Sequence, residues 1–203
     1  MYSQRNFALV RKSSNGSAMY SDHVELEPGQ EYEVLAYFSN GALETADGSM
    51  AALGVTMSSR LPAVVDDGGE AKASVLLMSS NAIPAQVWDS FVLSNNSGGA
   101  MALRFVPKSA TIHSAGGVDG ARLSEEIWTE DGAVLGFDRL DGILPADAPG
   151  RTSFGGFVTY RFVADQPNFS VDTLARQSPE EEWVKDPLGE EGQTVWCLIR
   201  YRN

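Results

Sequence analysis

The sequence predicts an all-β fold, an antiparallel β-sandwich, on three observations. Its apolar residues fall in many short runs that alternate with polar residues, which is the period of a half-buried strand. Gly, Asn, Asp and Pro separate these runs, and the 203 residues include 20 Gly and 9 Pro. Helical periodicity is almost lacking. Short strands separated by such turns favour a sandwich, and a closed barrel is the nearest alternative.

An internal repeat organises the chain. Residues 20–40 recur without gaps as residues 183–203, at a constant offset of 163 (183 minus 20). In the first copy a turn at residues 27–29 precedes a run rich in aromatic and β-branched residues, which is typical of a strand. Because side chains alternate along a strand, one face carries Tyr32, Val34, Ala36 and Phe38.

The second copy has the same alternation. Its equivalent face carries Val195, Cys197, Ile199 and Tyr201, so we expect this face to be core in both copies. A lone cysteine excludes an intramolecular disulfide, and we expect Cys197 to be a small buried hydrophobe. Trp196 and Leu198 make the opposite face apolar as well, as in a centrally buried strand.

The repeat divides the chain into two predicted domains. Residues 1–167 form one β-sandwich domain, and residues 168–203 form a partial second repeat, with the boundary near Gln166, Pro167 and Asn168. The partial repeat has too few residues to fold as a sandwich by itself. We therefore expect it to act as a donor or docking segment.

The first domain contains further predicted strands, each an apolar run bounded by turn residues. In chain order they cover residues 6–12, 51–61, 71–79, 87–93, 100–106, 109–113, 134–138 and 155–164. The turn at residues 95–99 predicts that the strands 87–93 and 100–106 form a hairpin. Pro107 interrupts the second of these, since it lacks an N–H for the ladder. Ser124 is placed to cap a short helical turn over residues 123–128.

The motifs and their order resemble a known family. They are PGQEYEVLAYFSN (28–40), VWDSFVL (87–93), LRFVPKSATI (103–112), GFDRLDGILP (136–145) and GGFVTYRFV (155–163). Together they resemble the repeat domains of large extracellular bacterial surface proteins, common in actinobacteria. This resemblance implies immunoglobulin-like sandwiches in tandem, a location outside the cell or at its surface, and no catalytic residues or cofactor to transfer.

Composition and motifs restrict the function classes. A net charge of −12 argues against nucleic acid, which requires a clustered basic face. No apolar run approaches the roughly 20 residues of a membrane-spanning helix. The sequence contains no HExxH, GxSxG, P-loop or GxGxxG motif, so an enzyme is the least favoured class. The favoured class is a structural or adhesive module, with a carbohydrate-binding sandwich as the alternative.

Three groups of residues are candidate sites. The predicted interaction strand, which would pair with another copy or a neighbouring domain, consists of Thr194, Val195, Trp196, Cys197, Leu198 and Ile199. An exposed tryptophan could stack on a glycan, although Trp88 and Trp196 lie in predicted strands and are expected in the core. A calcium site is conceivable at Asp66, Asp67, Asp138 and Asp141, because hard cations require several oxygen ligands.

Overall fold

The computed structural model describes residues 6–14, 19–42, 50–146, 154–166, 170–180, 182–185, 192 and 194–202. The chain divides into two compact units, Met1–Gln166 and Pro167–Asn203. Residues 167 and 168, where the sequence places the domain boundary, lie outside the described residues.

The described residues of the first unit form two β-sheets that enclose one hydrophobic core, so the predicted all-β sandwich is confirmed. The six-stranded sheet contains β1 (Ala8–Lys12), β3 (Gln30–Phe38), β5 (Val64–Val65), β8 (Met101–Phe105), β9 (Thr111–Ser114) and β11 (Gly156–Asp165). The five-stranded sheet contains β2 (His23–Leu26), β4 (Thr56–Arg60), β6 (Gly69–Met78), β7 (Gln86–Asn95) and β10 (Ala133–Val134). All of these strands pair antiparallel except β2, which runs parallel to β7.

Strand β11 is the centre of the six-stranded sheet. It pairs with β3 along one edge and with β8 and β9 along the other. Its inward residues Val158, Tyr160 and Phe162 are fully buried, and the aromatic ring of Phe162 stacks on that of Tyr32 at 5.1 Å between centroids. The predicted core face of β3 is likewise buried at every position, so that prediction is confirmed.

The predicted hairpin of residues 87–93 and 100–106 is wrong, because β7 and β8 lie in different sheets. The connection between them crosses the end of the sandwich and is fixed by Asn95. The Asn95 side-chain amide donates to the carbonyl of Val65 at 2.9 Å and to that of Gly99 at 2.8 Å. Turn-forming residues therefore mark where a strand ends, but they do not determine which sheet receives the next strand.

The predicted helical turn is a 3₁₀ turn at Glu125–Trp128. Ser124 precedes it in extended conformation but does not cap it with its side chain, since its hydroxyl donates to the carboxylate of Glu126 at 3.1 Å. Within the described residues no helix has the length and hydropathy needed to cross a membrane.

The second unit contains an antiparallel pair of strands, β12 (Ser170–Arg176) and β13 (Trp196–Arg202). This pair is called the C-terminal hairpin below.

Candidate interaction strand

The predicted interaction residues lie at and just before β13. Thr194 and Val195 precede the strand, and the other four residues, from Trp196 to Ile199, form its first half. The structure therefore places all six on one continuous segment that leads into β13 and includes its first half.

The C-terminal hairpin repeats the pairing of β1 with β3. Ala8 lies opposite Ala36 in the first unit, and Thr173 lies opposite Ile199 in the second. Ile199 matches Ala36 at the offset of 163, so Thr173 matches Ala8 at an offset of 165 (173 minus 8). The residue-by-residue match therefore extends beyond residues 183–203 to β12, which is the counterpart of β1.

An isolated bridge is repeated at the same offsets. In the first unit, the outer edge of β1 exchanges two backbone hydrogen bonds between Val10 and Ser21, at 2.9 and 3.0 Å. In the second unit, the outer edge of β12 exchanges two between Ala175 and Val184, at 2.8 and 3.0 Å. A sequence signal for this was present, since the Leu-Val-Arg run at residues 9–11 recurs as Leu-Ala-Arg at residues 174–176.

A cation–aromatic contact also occurs in both units. The guanidinium of Arg11 lies 4.4 Å from the ring centroid of Tyr20, and that of Arg176 lies 4.4 Å from the ring centroid of Trp183. Such contacts are favourable for both pairs of side chains. The match extends the repeat from backbone register to side-chain packing.

The two units differ at the residue opposite the arginine. In the first unit Glu33 accepts hydrogen bonds from the Tyr20 hydroxyl at 2.5 Å and from the Arg11 guanidinium at 2.6 Å. Burial opposes ionisation of Glu33, but these hydrogen bonds outweigh it and lower the pKa of Glu33. In the second unit Trp196 occupies this position, and its ring centroid lies 6.0 Å from the guanidinium of Arg176.

The face of β13 that matches the core face of β3 is open. Val195 is 39% exposed and Ile199 is 67% exposed, whereas their counterparts Tyr32 and Ala36 are fully buried. Cys197 is exposed as well. The expectations that this face is core in both copies and that Cys197 is buried are therefore wrong. In the first unit the five-stranded sheet covers the face, and the described part of the second unit contains only two strands.

The edge of β13 that faces away from β12 presents the backbone N–H and C=O groups of Cys197 and Ile199. Because the N–H and C=O of Ala175 both bond to Val184, they point away from β13, which makes Ala175 and Cys197 a non-hydrogen-bonded pair. The N–H and C=O of Cys197 and, two residues further on, of Ile199 consequently point away from β12. The matching groups of β3 point toward β11, and the described residues provide no such strand beside β13.

Tryptophan placement also departs from expectation. Trp88 lies in β7 as predicted, but it is 68% exposed, since its neighbours Asp89 and Phe91 face inward and alternation turns Trp88 outward. Trp196 is half-buried, and Trp128 stacks on Phe105 at 3.9 Å beside the core. The core assignment is thus wrong for Trp88.

The four aspartates considered for calcium do not form one ion-binding group, because the described residues contain no cluster of three or more His, Cys, Asp or Glu suited to a metal ion. Asp67 accepts a hydrogen bond from the Gly98 amide at 2.8 Å, and Asp141 accepts one from the Ile143 amide at 3.1 Å. These two carboxylates therefore fix loop backbone. Asp138 lines an open surface cleft together with Asp141.

Comparison with protein-family models, with curated proteins and with solved structures finds no match for this chain.

Proposed function

We propose that this chain is a non-enzymatic structural or adhesive module that self-assembles by β-strand addition through its C-terminal hairpin. One observation carries the proposal: β13 has an apolar face and a hydrogen-bonding edge that are covered at the equivalent positions of β3. The extracellular or cell-surface location of the module belongs to the same proposal and rests on the family resemblance. Its partners are other copies of the chain or neighbouring domains of the same kind.

Physical chemistry favours occupation of this edge. A two-stranded hairpin is marginally stable in water, and three or more strands with a hydrophobic face are needed for independent stability. An exposed strand edge also presents unpaired N–H and C=O groups that can pair with another chain. Ile199, at 67% exposed, lies on this strand, so addition of a strand reduces the exposure of its apolar side chain as well.

The test is the molar mass in solution, measured by size exclusion with light scattering as a function of protein concentration. We expect residues 1–203 to form a concentration-dependent multimer and residues 1–166 to remain monomeric. Ile199→Lys is expected to weaken the multimer. Ile83→Lys is the matched control, because Ile83 is fully exposed in the first unit, and it should leave the multimer unchanged.

A monomeric mass near 21.8 kDa for the full chain at every concentration would contradict the proposal. So would a multimer that survives removal of residues 167–203, since the interface would then lie in the first unit.

A carbohydrate-binding sandwich is the second candidate, and exposed Trp88 favours it. Trp88 projects from the outer face of the five-stranded sheet, opposite Leu76, which in turn lies opposite Ser58. An exposed indole face can stack on the apolar face of a sugar ring. Binding to a glycan array that is lost in Trp88→Ala would support this function. Tyr37→Ala is the control, because Tyr37 is an exposed aromatic residue of the other sheet. A glycan array without any bound glycan would contradict the carbohydrate-binding function.

A further inference from the structure

We infer that the partner of β13 is β13 of a second copy. The two strands pair antiparallel about a two-fold axis that lies midway between Leu198 of one copy and Leu198 of the other. This inference rests on the proposed function and specifies which edge and which register that function uses. It follows from three features of the C-terminal hairpin: the edge that is free, the parity of its backbone groups, and the charges along it.

The free edge of the C-terminal hairpin indicates which strand can pair with it. The outer edge of β12 is bonded to Val184 at Ala175, whereas no described residue bonds to the outer edge of β13, so we take β13 as the edge at which a chain adds. Within the first unit the strand that would fit, β11, is bonded on both sides. In a second copy, β11 is therefore already paired along both edges and cannot add to β13. Strand β13 of the second copy, by contrast, presents the same free edge.

Symmetry and side-chain parity restrict the register. A two-fold axis perpendicular to the sheet keeps the open face of both hairpins on the same side, so a residue can lie opposite only a residue of its own face. One residue must then lie directly opposite its own copy, with the axis midway between the two; this is called an axis through that residue. Since the outward N–H and C=O groups belong to Cys197 and Ile199, axes through residue 197, 198 or 199 all allow backbone hydrogen bonds between the copies.

Charge and apolar matching select Leu198. An axis there places Cys197 opposite Ile199 of the second copy, so that apolar residues meet across the open face. It also places Arg200 opposite Trp196 of the second copy, which adds a second cation to the ring that Arg176 already approaches. An axis through residue 197 also pairs apolar residues, but it places Arg200 opposite Thr194, and an axis through residue 199 places Arg200 opposite Leu198. Arg200 therefore meets Trp196 only with the axis at residue 198. An axis through Arg200 opposes two like charges. The result is a continuous four-stranded sheet with one apolar face.

The test is disulfide cross-linking with one cysteine per chain, which the sequence permits because Cys197 is its single cysteine. In a Cys197→Ser background, the substitutions Leu198→Cys and Ile199→Cys move the thiol along β13, and the unsubstituted chain reports on position 197. Ile83→Cys in the same background measures random collision. Each protein is oxidised at the concentration where the multimer forms, and the covalent dimer is quantified on a non-reducing gel.

We expect the covalent dimer to be the dominant product for Leu198→Cys, and the thiols at positions 197 and 199 to cross-link no more than the Ile83→Cys collision control. Directly opposed residues place Cβ atoms about 4.5–5.5 Å apart, whereas diagonal pairs are about 7–8 Å apart, and a disulfide requires about 3.5–4.5 Å. Dominant cross-linking at position 197 or 199 would overturn the register. A multimer by light scattering without cross-linking along β13 would overturn the inference and leave strand addition standing. A monomeric mass by light scattering would contradict both the pairing of β13 with β13 and the proposed strand addition.

Discussion

A buried hydrogen bond joins the two sheets of the sandwich and yields the sharpest stability prediction. The hydroxyl of Tyr160 in β11 lies 2.5 Å from the hydroxyl of Ser59 in β4, and both residues are buried, at 0% and 1% exposure. Burial raises the pKa of Tyr160, so its hydroxyl stays protonated at neutral pH. No other described contact in the core pairs two side-chain hydroxyls between the sheets.

The expected magnitudes follow from what each substitution leaves behind. Tyr160→Phe leaves the buried Ser59 hydroxyl without this partner, which costs about 1–3 kcal/mol of unfolding free energy. Ser59→Ala leaves the Tyr160 hydroxyl in the same position, at a similar cost. The double variant removes both polar groups, so we expect it to lose clearly less than the two single losses combined, with a coupling of about 0.5–3 kcal/mol.

The assay is urea unfolding of the four proteins at neutral pH, monitored by circular dichroism, with melting temperatures as a second reading. One kcal/mol corresponds to about 2–4 °C for a domain of this size. Additive losses, or a neutral Tyr160→Phe, would refute the link between the sheets.

Three further predictions concern the first unit. Glu33→Gln should reduce stability at neutral pH, and the difference from the unsubstituted chain should shrink in urea unfolding as pH falls. The lowered pKa of Glu33 gives stability that is complete above the unfolded pKa of about 4.3 and is lost below it. Gly156→Ala should destabilise β11 and lower the melting temperature, because its Cβ would lie 2.1 Å from the backbone oxygen of His113. Asp89→Ala should cost about 1.5–3 kcal/mol or more in urea unfolding, since the carboxylate of Asp89 accepts the two backbone amides at residues 7 and 8, at 2.6 and 2.8 Å. Unchanged unfolding curves would contradict each of these predictions.

Much of the fold is predictable from local pattern. The alternation in residues 71–79, 87–93 and 155–164 predicts strands that the structure confirms as β6, β7 and β11. The sheet to which a strand belongs is not predictable in this way. The turn after Asn95 has the composition of a hairpin loop, but its strands separate because long-range pairing with β6 and β11 determines their sheets.

Burial is the least predictable property where a strand is apolar on both faces. The run around Trp88 offers apolar residues to either side. Phe91 and Leu93 face inward, and Asp89 on the same side is buried because its carboxylate accepts a hydrogen bond at the start of β1. Cys197 fails for a different reason. Its pattern matches that of Val34, but burial requires a second sheet, which the described part of the second unit does not contain.

The candidate strand is partly predictable. Sequence periodicity identifies residues 194–199 as an apolar strand, whereas its free edge emerges only from the bridge between Ala175 and Val184. The repeat of β1 by β12 has only a short sequence signal, at residues 174–176, and its offset of 165 differs from the offset of 163 in the rest of the repeat.

Amide hydrogen exchange of β13 tests the central claim most directly. At low protein concentration, the amides of Trp196 and Leu198 should be protected by β12, while those of Cys197 and Ile199 should exchange freely. At high concentration we predict that Cys197 and Ile199 become protected and that amides of the first unit do not change. Free exchange of Cys197 and Ile199 at every concentration would contradict strand addition at this edge.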